Sequence, residues 1–123
     1  MFKGIEHTAI ATPNPEALAN WYANNLEMPI VHTYDGNYFV RAADGTMLEI
    51  IPSEGEALDA KIKTPGIRHL AISVDDFEAG VADIEAKGIE IFTNVNVKGN
   101  RLAFFHDLDG NIIHLIWREK PIG

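Results

Sequence analysis

The side-chain alternation over residues 5–11 puts Ile5, His7, Ala9 and Ala11 on one face and Glu6, Thr8 and Ile10 on the other, the two-residue period of a strand. Thr12-Pro13-Asn14-Pro15 stops that strand and the spacing changes. From about Pro15 onward Leu18, Trp21, Tyr22 and Leu26 recur at helical intervals, with Asn14 placed to cap and Pro29 preventing continuation. Two short strands are predicted around 30–34 and 38–42, joined by Asp35-Gly36-Asn37, a turn that favours positive backbone angles. Asp44-Gly45 then turns the chain into a third strand over 46–51. The first half therefore reads strand, helix, strand, strand, strand.

Residues 52–65 are polar and acidic and read as a connection with room for one helical turn. Beyond it the order returns. Residues 67–74 form a strand, Asp75-Asp76 supplies a cap, and Phe77, Val81 and Ile84 make the buried stripe of a helix closed by Lys87-Gly88. Strands are expected over 89–92, 101–105 and 111–117, with a loop over 93–100 that turns at Lys98-Gly99-Asn100.

The second half repeats residues as well as elements. Gly4-Ile5-Glu6-His7-Thr8-Ala9-Ile10 returns as Gly66-Ile67-Arg68-His69-Leu70-Ala71-Ile72, and Asp44-Gly45-Thr46-Met47-Leu48-Glu49-Ile50 returns as Asp109-Gly110-Asn111-Ile112-Ile113-His114-Leu115. The offset is 62 residues from His7 to His69 and 65 from Glu49 to His114, so a small insertion in the second half reconciles the copies. Each copy of the first motif carries one histidine in mid-strand, and each copy of the second carries one metal-capable side chain in mid-strand at the matching place. A duplicated module with such residues at equivalent places implies one site shared between two halves.

Composition narrows the chemistry. At 123 residues and 46% hydrophobic content the chain fits one domain over 1–123, with a first module at about 1–52, a linker at about 53–65 and a second module at about 66–120. The lack of cysteine excludes disulfides, a thiolate zinc site and a cysteine nucleophile. A net charge of −8, with the ten basic residues dispersed, disfavours nucleic acid and anionic membranes and favours a small-molecule partner. No apolar run reads as a secretory signal or a span, which makes a cytoplasmic home the default expectation.

Alternation sets Met47, Glu49 and Ile51 on one face of their strand, and Ile112, His114 and Ile116 on one face of theirs. An ionised Glu49 between apolar neighbours is costly unless a positive or hydrogen-bonding group meets it, and three histidines in apolar strands pose a milder form of the same problem. A lone strand histidine is more often a packed core residue than a ligand; the coincidence of places is what favours a joint site. A divalent cation satisfies His7, Glu49, His69 and His114 together. Three imidazoles and a carboxylate suit zinc, nickel, cobalt, manganese or ferrous iron, whereas calcium and magnesium prefer oxygen. His32 reads as exposed and without a role, and His106, aligned with Arg41, reads as the start of a turn. Tyr38, Phe104 and Arg101 are candidate substrate contacts.

The paired modules, the Gly-Ile-x-His-x-Ala-Ile openings, Trp21-Tyr22-Ala23-Asn24-Asn25-Leu26, Asp75-Asp76-Phe77 with Glu85-Ala86-Lys87-Gly88-Ile89, and Phe104-Phe105-His106-Asp107-Leu108-Asp109-Gly110-Asn111 resemble the glyoxalase, bleomycin-resistance and ring-cleaving dioxygenase superfamily, the vicinal oxygen chelate proteins. The resemblance covers nearly the whole chain. It implies an α+β fold of two tandem βαβββ modules forming an eight-stranded cupped sheet with helices outside, commonly a homodimer, and metal at the positions of His7, Glu49, His69 and His114. It also implies a substrate bound through two neighbouring oxygens, as in a lyase or isomerase of the glyoxalase type with Glu49 moving a proton. The alternatives it leaves open are an iron-dependent ring-cleaving dioxygenase and a metal-free drug-binding protein. Glyoxalase I and methylmalonyl-CoA epimerase usually carry glutamate where this chain has His114, so no subfamily is matched cleanly.

Overall fold

Asn14 and the Pro15 that follows divide strand from helix at the start of the chain as their chemistry dictates. The computed structural model describes residues 1–123 and resolves into two units, Met1–Leu58 and Asp59–Gly123. The first unit runs β1 (His7–Thr12), α1 (Pro15–Asn25), β2 (Ile30–Tyr34), β3 (Asn37–Arg41) and β4 (Met47–Pro52). The Asn14 side chain accepts from the Ala17 amide at 3.1 Å, which satisfies an otherwise unpaired donor of the first turn. Strand order is β1-β4-β3-β2, with β1 parallel to β4 and the other pairs antiparallel.

Helix α1 buries Leu18, Ala19 and Tyr22 over Val40, Leu48 and Ile50 of the sheet. Each fully buried large apolar side chain contributes roughly 1.5–3 kcal/mol. Trp21 and Leu26, expected in the same stripe, are only partly covered. Because β-strand side chains alternate, burying Leu48 and Ile50 under the helix turns Met47, Glu49 and Ile51 to the opposite face. The β2–β3 turn is Asp35-Gly36, both at positive φ (47° and 80°), which sets Tyr34 opposite Asn37.

The second unit contains β5 (His69–Ser73), α2 (Phe77–Ala86), β6 (Thr93–Val97), β7 (Asn100–His106) and β8 (Ile112–Trp117), in the order β5-β8-β7-β6. Asp76 caps α2 by accepting from the Ala79 amide at 3.0 Å, and Phe77, Val81 and Ile84 are buried as the helical spacing predicts. Gly80 lets the helix approach β8 closely: a Cβ there would lie 3.1 Å from Leu115 Cδ1 and 3.4 Å from Val74 Cγ1. The Asp107 carboxylate is buried and accepts from the Asp109 and Asn111 amides at 2.9 Å each, which fixes the turn between β7 and β8.

One expectation is overturned. The strand anticipated over 89–92 is absent and the anticipated loop contains β6 instead. Lys98 and Gly99 both take positive φ (54° and 88°), making a two-residue hairpin that aligns Val97 with Asn100 and carries the pairing back to Thr93 with Phe104. The polar content of 93–97 hides the strand because β6 is an edge that pairs with β7 alone. The connection over 53–65 forms no helical turn. The architecture is α+β: eight strands in two four-stranded sheets, each with one helix on one face.

Candidate functional site

The strand register brings His7 and Glu49 onto one face of the first sheet, and His69 and His114 onto one face of the second. His7 lies opposite Met47 and Ala9 opposite Glu49; His69 lies opposite Ile112 and Ala71 opposite His114. The two parallel pairs thus have the same register. In both, the helix takes the other face.

In the first unit His7 Nδ1 lies 2.8 Å from Glu6 Oε1. A carboxylate only accepts, so Nδ1 carries a hydrogen, and in the tautomer this selects the lone pair falls on Nε2. Nε2 faces Glu49 Oε1 at 3.7 Å, beyond hydrogen-bond range. Glu49 Oε2 accepts a 2.6 Å hydrogen bond from the Tyr34 hydroxyl, and the Glu49 side chain is only 13% exposed. The carboxylate in turn holds the Tyr34 hydroxyl above the ordinary phenol pKa, chiefly through that hydrogen bond and secondarily through loss of water. Nε2 and Oε1 therefore face each other without a direct hydrogen bond between them.

An imidazole and a carboxylate at this separation form a pair that a divalent cation would fit. Donors on a common ion at roughly 2.0–2.1 Å stand about 3.4 Å apart in a tetrahedral shell, so closing His7 and Glu49 onto an ion needs a shift of only a few tenths of an ångström. Glu6 behind His7 and Tyr34 behind Glu49 are outer partners of the kind that orient metal ligands. The donor set fits a borderline divalent ion.

In the second unit the His69 and His114 rings lie 4.8 Å apart between centroids. His114 is buried, and its Nδ1 sits 3.2 Å from the Leu115 carbonyl oxygen. A carbonyl accepts, so Nδ1 donates and Nε2 keeps the lone pair. Burial lowers the His114 pKa, opposed by the Leu115 hydrogen bond and aided by the charges of His69 and Arg118. The ring is thereby held neutral and able to donate. Phe104 lies 4.7 Å from the His114 ring, on the same face. No three His, Asp or Glu side chains converge as a metal-binding cluster in this structure; the register groups His7 with Glu49 in the first unit and His69 with His114 in the second.

Two expected substrate contacts lie on the wrong face. Tyr38 pairs with Ile50 and shares the helix side with Val40, away from Glu49. Arg101 stacks its guanidinium 4.6 Å above the Phe77 ring and pairs with Glu78 at 3.2 Å, both at the start of α2. It lines a cleft of about 600 Å³ with Trp117 and Asp75. Phe104 is placed as expected. His106 stacks on Phe92 at 4.7 Å and lies in the row of Ile112 and His69, on the face of Phe104 and His114.

Sequence reasoning missed Tyr34; His32 is exposed, as expected. His32, Tyr34 and Phe39 form a patch of rings with centroids 5.8 to 6.2 Å apart, and Phe39 meets His7 edge-on at 5.3 Å. The irregular register between Ile30 and His32 decides which β2 side chains reach this face. The only local signal for Tyr34 was its place just before the Asp35-Gly36 turn.

Comparison with known proteins agrees with the architecture. Residues 4–115 match the family model described as glyoxalase/bleomycin resistance protein/dioxygenase superfamily. A glyoxalase family protein from Enterococcus faecalis is 27% identical, with a TM-score of 0.79 over 94% of this chain and 98% of that one. A lactoylglutathione lyase from Agrobacterium tumefaciens (18%, TM-score 0.72, 92% of each chain) and the oxidase ChaP-H2 (24%, 0.76, 100% of this chain and 98% of that one) share the fold. None of the curated proteins matches the sequence. No helix is long and apolar enough to cross a membrane.

Proposed function

Because the chain belongs to the glyoxalase/bleomycin resistance protein/dioxygenase superfamily, we propose that it is a divalent-metal-dependent lyase or isomerase of the glyoxalase type, acting on a small substrate that offers two neighbouring oxygens. His7 and Glu49 from the first module and His69 and His114 from the second hold the ion. The modules act as one functional domain and are supplied by one chain or by two copies in a homodimer in the cytoplasm. Zinc, nickel, cobalt, manganese and ferrous iron all suit this donor set. The observation that supports the reading is the approach of His7 Nε2 to Glu49 Oε1 at 3.7 Å, beyond hydrogen-bond range, with the far side of each group already tied down.

When bound, the ion supplies Lewis acidity to negative charge that develops on a substrate oxygen. The remaining work belongs to side chains. Tyr34 fixes Glu49 Oε2, so Oε1 either completes the shell of the ion or, released from it, would accept a proton from carbon next to a carbonyl. Phe39 beside His7 and Phe104 beside His114 give the donors apolar flanks that limit water. His114, kept neutral by burial, presents Nε2 without competition from a proton near pH 7.

The test is metal analysis of untagged protein purified without chelators and repleted with each ion, followed by solvent-deuterium exchange into a 2-hydroxy ketone. About one ion per four-donor set and exchange that depends on Glu49 support the reading. Fewer than about one ion per ten chains after repletion favours the drug-sequestering alternative. An iron-dependent dioxygenase is the second reading, because His7, His69 and Glu49 contain the two-histidine, one-carboxylate set that suits ferrous iron. Oxygen uptake with iron and a diol, without exchange, selects it.

A further inference from the structure

Lys3 and Arg41 are the only lysine or arginine residues in the first unit, against eight aspartates and glutamates. Arg41 closes β3 on the face that carries His7 and Glu49. It lies opposite Met47, which lies opposite His7, so the three form one row across β3, β4 and β1. Two strand spacings put the Arg41 and His7 backbones about 10 Å apart. A small molecule spans that distance together with the arginine side chain.

The guanidinium has no carboxylate. Its Nη2 reaches only Met47 Sδ at 3.7 Å, a weak acceptor. The ion pairs of the first unit join His7 to Glu6 and to Glu49 and leave Arg41 out. Asp44, three residues on, is occupied by the Thr46 amide and hydroxyl at 3.0 and 2.7 Å. The register equivalent in the second unit is His106, which already stacks on Phe92. Arg41 is thus an exposed, unpaired cation on the donor face of an otherwise acidic unit.

We infer that Arg41 is a specificity-determining residue that binds a carboxylate carried by the substrate at the end away from its two neighbouring oxygens. The inference rests on the proposed site for its location, but not on the reaction catalysed there. A guanidinium matches a carboxylate with two parallel hydrogen bonds. The surrounding acidic charge favours a monoanion over a phosphate dianion, because each added negative charge meets more repulsion while the single arginine offsets one.

Two probes isolate that charge: 3,4-dihydroxybenzoate and 3,4-dihydroxybenzamide share a diol and differ by one carboxylate. Calorimetric titration of the cobalt-loaded protein should show a preference for the benzoate that weakens with salt. Arg41→Met keeps an apolar stem over Met47 and should lose about tenfold in benzoate affinity, with benzamide affinity and cobalt affinity within about twofold. Arg41→Lys should retain part of the preference. Equal affinity of the wild type for both probes, or a preference that survives Arg41→Met, overturns the inference while the metal reading stands. If the wild type takes up no cobalt, the metal reading fails alone. The same probe pair titrated by NMR into metal-free protein then decides Arg41, with loss of the benzoate preference in Arg41→Met supporting it and no preference refuting it.

Discussion

The two halves of this protein share a backbone register and differ in what they hang on it. In the first, the residue opposite Ala9 is Glu49; in the second, the residue opposite Ala71 is His114. Their surroundings differ in step. Tyr34, paired with Asn37 beside its hairpin turn, gives Glu49 a hydroxyl, whereas Val97, paired with Asn100 beside the matching turn, offers none. A charged carboxylate needs a donor to be stable at 13% exposure, while a neutral imidazole needs only the Leu115 carbonyl. The two halves thus share a scaffold, and each surrounds its own polar residue with the neighbours that residue requires.

Equalising the halves tests this directly. Glu49→Gln keeps the shape and the Tyr34 contact but removes the charge, and should lower metal affinity by about a hundredfold or more in a competitive chelator titration. An unchanged affinity would exclude Glu49 as a ligand. His69→Ala should cost at least about tenfold, with His32→Ala within about twofold as the comparison; equal losses would mean that the ring patch, not the register, defines the site.

Tyr34→Phe separates the orienting hydroxyl from the stacking ring. Metal affinity should fall about tenfold while the melting temperature stays within a few degrees, and the cobalt absorption spectrum should change as the carboxylate loses its fixed rotamer. A Tyr34→Phe protein with wild-type affinity and spectrum would reduce the hydrogen bond to a packing detail.

The smallest effect is a pH dependence confined to the second half. Burial lowers the pKa of His114 in the folded state, so the unfolded chain binds the extra proton first as pH falls. Its contribution to stability is complete above the ordinary histidine range and is lost as pH drops through the lowered folded value. Urea midpoints at about pH 7.5 and about pH 5 should therefore converge in His114→Gln relative to the wild type. Equal pH sensitivity in both proteins would place the acid response elsewhere.

Much of this organisation was legible in the chain. The repeated His7 and His69 motifs, the caps at Asn14 and Asp76, and the buried stripe of Phe77, Val81 and Ile84 are local signals, and local chemistry was enough to place them. The Glu49 and His114 faces followed from alternation, because a strand with one face under a helix has no freedom in where its other side chains point. Strand β6 was missed because its asparagines lack an apolar face and its pairing is imposed by the Lys98-Gly99 turn. Tyr38 and Arg101 were candidate substrate contacts whose facing alternation left open, and register with their partner strands turns both to the helix side.

Periodicity and side-chain chemistry over a few neighbouring positions were enough to reveal the duplication, the element order and the residue types able to hold a cation. It took the folded chain to show that Tyr34 braces Glu49 across fifteen residues, that Glu6 engages His7 Nδ1 while Nε2 faces Glu49, and that Arg41 has no acidic partner. Those facts depend on strand register and on which hydrogen bonds are already made, quantities that exist only once separated segments have paired.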